Sequence, residues 1–222
     1  AVTLTSIEEN INMYFNLEAC SKHYGKLICI GSGAEYDKNH YIPKMQESYF
    51  DKFIPSKEDI YGYSKYIIAK DIIDKSKNIF NLRLFGIFGK YEDHRRRLIS
   101  NNICKKLCGE KVSINKNGYF DYMYIDDFCL ILDKFITQKP RQNTYNVCTG
   151  KIVDFITIAK IINNIEYNGE DIEVKHEGAS PEYSGDNSIF VNEFGDINFT
   201  NIELSIKKLY EWYKYKSGLI FD

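Results

Sequence analysis

Apolar residues along the chain follow two patterns, helical spacing and short unbroken runs, and the two alternate. Ile7, Ile11, Tyr14 and Phe15 recur three to four positions apart behind Ser6 and Glu9, a capping box. This predicts a helix running to about Tyr24 and stopping at Gly25. Leu27 to Ile30 is too short for a helix and follows a glycine, so it reads as a buried strand. From Asp37 to about Asp59 a mixed stretch with Pro43 and Pro55 predicts a loop, of a length that in compact domains goes with function. Tyr61 to Lys75 predicts a helix with Ile67, Ile68, Ile72 and Ile73 inward, and Asn81 to Phe88 a single strand ending in Gly89.

The alternation continues. Leu98, Ile99, Ile103 and Leu107 mark a helix, and Tyr122 to Ile125 a strand. Asp126 or Asp127 can cap the helix that carries Phe128, Ile131, Leu132 and Phe135. Thr144 to Val147 predicts a strand and Val153 to about Asn164 a helix. Thr200 and Glu203 form a second capping box before a closing helix with Leu204, Leu209 and Trp212. Strands alternating with helices imply an α/β fold with a parallel sheet covered on both faces. In such sheets ligands sit beyond the carboxyl ends of the strands, where Gly31-Ser32-Gly33, the loop before Tyr61 and Gly86 to Gly89 fall.

Composition narrows the class. The 222 residues are 44% hydrophobic and 27% charged, which excludes a disordered or low-complexity chain. With 29 basic and 31 acidic residues, the net charge of −2 gives no electrostatic reason to expect nucleic acid or an anionic membrane. No apolar run would span a bilayer and no signal-peptide pattern opens the chain, so it reads as cytoplasmic. The six cysteines (Cys20, Cys29, Cys104, Cys108, Cys129, Cys148) are sparse, several lie in apolar runs, and they read as buried free thiols. Cys104 and Cys108 share a helix face, but no nearby histidine completes a zinc set.

Tyr61-Gly62-Tyr63-Ser64-Lys65 carries candidate chemistry, because residues four apart share one helix face. A free tyrosine, with a pKa of about 10, is a poor base at neutral pH. A neighbouring ammonium group favours the phenolate and brings it nearer a useful range. Ser32 can hydrogen-bond the same substrate oxygen. In a chain of 18 tyrosines, Tyr-x-x-x-Lys arises readily by chance. Its weight here comes from its place after a strand-Gly-Ser-Gly element and before a strand ending in Phe-Gly.

Five segments together resemble the extended short-chain dehydrogenase/reductases, within them the NAD(P)-dependent epimerase/dehydratase family that acts on nucleotide sugars. They are Gly31-Ser32-Gly33-Ala34-Glu35-Tyr36, Tyr61-Gly62-Tyr63-Ser64-Lys65, Leu82 to Gly89, Asp121-Tyr122-Met123-Tyr124-Ile125-Asp126-Asp127, and Tyr145-Asn146-Val147 with Gly150. The resemblance implies a Rossmann-like parallel sheet with a small C-terminal substrate-binding α/β lobe, NAD or NADP as cofactor, a nucleotide-sugar substrate and a homodimer. It implies a catalytic set of Ser32, Tyr61 and Lys65. Tyr61, Lys65, Phe85, Gly86 and Ile87 would face the cofactor, and Ser32, Gly33, Arg95 and Arg97 the substrate. Residues 1–138 would belong to the dinucleotide-binding part, with 93–118 contributing to the substrate lobe, and 139–222 mainly to that lobe. The dimer interface would be the helix pair Ile7–Tyr24 and Tyr61–Lys75.

Departures from the family pattern refine these expectations. The family's glycine-rich turn, which seats a pyrophosphate on a helix N-terminus, has no counterpart between Ala1 and Asp222. The chain is therefore expected to lack the first part of the fold, and by itself to bind neither dinucleotide tightly and to turn nothing over. Gly33 and Ala34 replace the Asp-Glu pair of dehydratase members, leaving epimerase and reductase chemistry ahead. Gly86 replaces an asparagine, and Phe120 stands where an arginine often grips the diphosphate. Arg95-Arg96-Arg97 can act as a phosphate clamp or as a solvated helix face, and His94 as an auxiliary acid or a surface residue. A non-catalytic binding or scaffold protein that keeps the fold is the alternative.

Overall fold

In chain order the elements are α1 (Leu4–Ala19), β1 (Leu27–Ser32), α2 (Ile60–Lys75), β2 (Ile79–Leu84), β3 (Gly86–Phe88), α3 (Leu98–Leu107), β4 (Ser113–Ile114) and β5 (Tyr119–Tyr124). There follow α4 (Ile125–Thr137), β6 (Thr144–Val147), β7 (Ile152–Asp154), α5 (Phe155–Asn164), β8 (Glu173–Val174), α6 (Ser188–Phe194) and α7 (Ile202–Ile220). The structure is a computed structural model and describes residues 4–75, 78–167 and 169–220, with the backbone alone at 4–6 and 217–220. The contacts divide the chain into two compact units.

The first unit comprises the chain up to Phe85 together with Ile131–Gly150 and Tyr183–Ile197. Its sheet is parallel, in the order β1-β2-β6, with Leu27 opposite Ile79 and Leu84 opposite Val147. Central β2 is buried at every position, its apolar residues alternating in part with Asn81 and Arg83, whose buried polar groups meet Glu35. Ile68, Ile72 and Ile79 form a core with Tyr14, whose hydroxyl donates to Asp71 Oδ2 at 2.9 Å and so joins α1 to α2. Beyond β6, Phe135, Tyr145, Phe190 and Phe194 form an aromatic cluster. Among the described residues β1 pairs with β2 alone, and Ile30 on it is 44% exposed.

The second unit comprises Gly86–Leu130, Lys151–Glu182 and the chain from Asn198. Here β3 runs parallel to β5, β7 is antiparallel to β5, and β4 pairs with β8. Phe88, Ile99, Ile103, Tyr124, Ile158 and Leu209 are among its buried core residues. Each unit is assembled from three separate stretches of the chain, and β6 returns to pair with β2 in the first.

Local boundaries differ from the sequence pattern in instructive ways. The stretch Asn81–Phe88 is two strands in two sheets, broken at Phe85. The first helix ends at Ala19, followed by a short 3-10 turn at Ser21–His23, and it already includes Ser6, whose side chain lies outside the described residues. Ile125 already opens α4, so Asp126 and Asp127 sit in its first turn rather than at its cap. Asp127 instead accepts from the backbone N–H and hydroxyl of Thr200 at 2.9 and 2.8 Å. That occupies Thr200, and Asn201 Oδ1 takes the capping contact from the Glu203 N–H at 2.8 Å. Val153 lies in β7, and Asp154 caps α5 by accepting from the Thr157 N–H. Ile73 faces outward on α2. Only Cys104 and Cys148 of the cysteines are buried; Cys20, Cys108 and Cys129 are exposed, the last because it falls on the outer side of amphipathic α4.

Candidate active site

Ser32 ends β1 in extended conformation and leads into a tight turn over Gly33–Glu35. Its Oγ accepts from the Ala34 N–H at 3.2 Å, which leaves the hydroxyl proton to donate elsewhere. Its backbone N–H donates to Glu35 Oε1 at 3.0 Å. Glu35 also accepts from Asn81 Nδ2 and pairs with Arg83, so the residue after the turn is anchored in the strand beside Ser32.

The first turn of α2 lies against this element. Gly62 permits the approach: a Cβ there would stand 2.7 Å from the Ala34 carbonyl oxygen. Asp59 starts the helix by accepting from the Gly62 N–H at 3.2 Å. Tyr61 and Lys65 therefore share one face of α2, with Tyr61 38% exposed and the Lys65 ammonium 6.0 Å from the Tyr61 ring centre. Lys65 donates to the Ile30 carbonyl at 2.8 Å, within β1 just before Ser32. The structure thus brings Tyr61 and Lys65 to the carboxyl end of β1, where Ser32 lies.

Tyr183 completes the cluster, and the sequence pattern gave no hint of it. Its hydroxyl lies 3.5 Å from Ser32 Oγ, and its ring packs on Tyr41 and on Phe85 at 5.2 and 5.3 Å. Tyr41 in turn donates to the Gly33 carbonyl at 3.0 Å. Burial pushes the Tyr183 phenol up to about 12, with the neighbouring Tyr61 adding to the rise and the hydrogen bond from Ser32 opposing it. Tyr183 is held by the long loop: the Met45 N–H donates to the Ser184 carbonyl and the Asp186 N–H to the Met45 carbonyl. Asn146 on β6 donates to both the Met45 and Asp186 carbonyls, which clamps the two segments together.

The remaining predicted residues divide between the units. Phe85 stands in the first, beside Tyr183. Gly86 and Ile87 lie in the second, paired with Tyr122 and Met123 of β5. There a Cβ on Gly86 would come within 2.5 Å of the Asp121 carbonyl oxygen, so strand packing by itself demands a glycine. Arg95 and Arg97 line a cleft of about 230 Å³ in the second unit, with Arg96, Lys105 and Lys175 and no carboxylate on its walls. Phe120 stacks with Tyr122 and Phe155, and His94 meets the edge of Tyr213.

Residues 3–148 match the model of the NAD dependent epimerase/dehydratase family. An ADP-L-glycero-D-manno-heptose-6-epimerase of Brachyspira hyodysenteriae is 24% identical over 127 residues, 52% of this chain and 40% of that one. The chain thus matches less than half the length of that relative. A dTDP-glucose 4,6-dehydratase from Bacillus anthracis, solved with NAD, superposes with a TM-score of 0.83 at 17% identity, over 97% of this chain and 70% of that one. A GDP-L-fucose synthetase from Naegleria fowleri superposes with a TM-score of 0.81 at 14% identity, over 97% and 73%. These likenesses establish a shared fold.

Proposed function

Because the chain belongs to the NAD dependent epimerase/dehydratase family, we propose that its residues carry an NAD- or NADP-dependent epimerase or reductase activity on a nucleotide-activated sugar. The observation that carries this reading is the convergence of Ser32, Tyr61 and Lys65 at the carboxyl end of a parallel strand, the position at which such sheets bind ligands.

The residues present fit the nicotinamide half of a dinucleotide. Tyr61 is exposed, and Lys65 offers two further N–H donors besides the one on Ile30, enough to hold ribose hydroxyls. Phe85 would line the ring beside them. A bound nicotinamide dinucleotide supplies a hydride donor or acceptor at a sugar carbon. Tyr61 would move the proton at the sugar oxygen, with Lys65 one turn away on the same helix face. Ser32 would donate its hydroxyl proton to the same oxygen and hold it in line. The basic cleft beside Arg95 and Arg97 supports a phosphate-bearing substrate, since guanidinium and ammonium groups with no carboxylate among them suit a diphosphate.

No helix among the described residues is long and apolar enough to cross a membrane. A homodimer through α1 and α2 is supported by the exposed apolar side chains Met13, Phe15, Leu17 and Ile73 on that pair. Light scattering that finds a monomer at high concentration would contradict it.

The alternative, a non-catalytic binding protein, is favoured by one observation: Lys65 already spends a donor on the β1 backbone. Turnover decides between the two. The polypeptide as its gene encodes it, incubated with NAD or NADP and a panel of UDP-, GDP-, ADP- and dTDP-sugars, should convert at least one of them, read by proton NMR of the sugar. Binding without conversion across the panel would establish the alternative.

A further inference from the structure

The basic cleft of the second unit carries more positive charge than a diphosphate neutralises. Arg95, Arg96, Arg97, Lys105 and Lys175 line it, and no carboxylate does. Two carboxylates act on these cations from off its walls. Asp93 lies 3.4 Å from Arg96, and the Arg97 charge acts on Glu92, which also accepts from the Ser100 hydroxyl. Arg95, Lys105 and Lys175 form no ion pair among the described residues. Five cations against two carboxylates leave an excess of three. A diphosphate joining a nucleoside to a sugar carries one negative charge on each phosphate, so one positive charge remains.

The cations are held in place by the fold. The arginines lead into α3, and their guanidinium forks suit phosphate oxygens. Lys105 on α3 donates to Ser113 Oγ at 2.9 Å, which leaves it two further N–H donors. Ser113 is fixed in turn: its N–H donates to Asn102 Oδ1 at 2.8 Å, and the buried Asn102 donates to the Leu98 carbonyl at 3.0 Å. Lys175 follows β8, and its N–H donates to the Ile114 carbonyl of β4 at 3.1 Å. At about 230 Å³ the cleft falls short of the roughly 300–1,000 Å³ that encloses a whole ligand, so it suits the charged middle of one. A further phosphate monoester, at about −1.5 to −2, would exceed the single charge left over. A carboxylate matches it.

On the reading that the substrate is a nucleotide sugar, we propose that it is a nucleotide-activated uronic acid, with the arginines on the diphosphate and Lys105 and Lys175 on the sugar carboxylate. The sugar is bonded directly to the second phosphate, so a carboxylate on it stays beside the same cleft. A neutral sugar would leave the last cation facing only like charges.

The test is calorimetric titration of the polypeptide as its gene encodes it, as wild type, Lys105→Met and Lys175→Met. The probes are the UDP-, GDP-, ADP- and dTDP-linked forms of glucuronate, galacturonate and mannuronate, each beside its neutral hexose and its nucleoside diphosphate. Wild type should bind a uronate about tenfold or more tighter than the neutral counterpart, the low end for a hydrogen bond to a charged group. Added salt should shrink that advantage. Each variant should lose about threefold or more of it, and Lys175→Met decides the point should Lys105→Met fail to fold. Equal affinity for uronate and neutral sugar in wild type, or an advantage that the folded variants keep, would overturn the uronate assignment while leaving the nucleotide-sugar reading intact. A wild type that binds none of the probes would overturn both.

Discussion

Glu35 and Arg83 form an ion pair with both side chains out of water, at 1% and 0% exposure. Arg83 finds no hydrogen-bond acceptor for Nη1 or Nη2 among the described residues, and its guanidinium lies 4.5 Å from the Phe50 ring centre and 5.2 Å from that of Tyr36. Glu35 carries the load on the other side, accepting from Asn81 and from the Ser32 backbone. The pair therefore fixes the turn that presents Ser32.

Removing one partner strands the other charge in the interior. Glu35→Gln should cost about 3–5 kcal/mol, the range for breaking a buried pair. Glu35→Leu combined with Arg83→Met should recover much of that loss, because neither charge then needs burial. Urea denaturation of the three proteins checks this. A Glu35→Gln protein as stable as wild type would show that the pair is not what holds the turn.

Tyr14 and Asp71 join α1 to α2 through one buried hydrogen bond, and the packing of Tyr14 pushes its phenol far above the ordinary range. Tyr14→Phe keeps the ring but removes the donor. Asp71 retains Lys75 as a partner, so the loss should be modest, about 1–2 kcal/mol. The melting temperature of the variant measures it.

Much of this architecture can be read from the sequence, and the exceptions have physical causes. Ile67 to Ile72 at helical spacing announces α2, and the short apolar run Leu27 to Ile30 announces β1, although that run is only half-buried and Ile30 is exposed where a buried strand was expected. The places of Ser32 at the end of β1 and of Tyr61 and Lys65 on α2 follow from the same two elements. The break at Phe85 is not legible, because apolar residues flank it on both sides and no turn residue precedes Gly86. Thr200 misleads because its hydroxyl has a better partner in Asp127, 73 positions away. Tyr183 is invisible because its place depends on Met45 and Asn146, which lie in separate elements.

Glu47 gives a prediction in pH. Burial raises its carboxyl above the ordinary range, although the Asn146 N–H and the Arg83 charge oppose the rise. The folded protein then holds this proton to higher pH than the unfolded chain. Stability contributed at this position is present below the ordinary carboxylate range and is lost as pH rises through the folded value. Glu47→Gln keeps an oxygen for Asn146 and removes that loss. It should be more stable than wild type at neutral pH, with the difference vanishing in acid. An equal difference at every pH would contradict this.

Gly62 is required by contact rather than by backbone conformation. Gly62→Ala should push the first turn of α2 off the Ala34 carbonyl and cost about 1–3 kcal/mol, as overpacking does. Since Tyr61 precedes it, the variant should also lose more turnover than its stability loss explains. Parallel melting and turnover measurements separate the two effects.

The central claim is that Tyr61 moves the proton in a dinucleotide-dependent reaction on a nucleotide sugar. The most direct measurement is the turnover number of Tyr61→Phe beside wild type, in the polypeptide as its gene encodes it, on the nucleotide sugar that wild type converts. General acid–base catalysis contributes roughly 10²–10⁴-fold, and the variant should be slower by that factor with an unchanged melting temperature. A folded Tyr61→Phe protein with wild-type turnover would contradict the account.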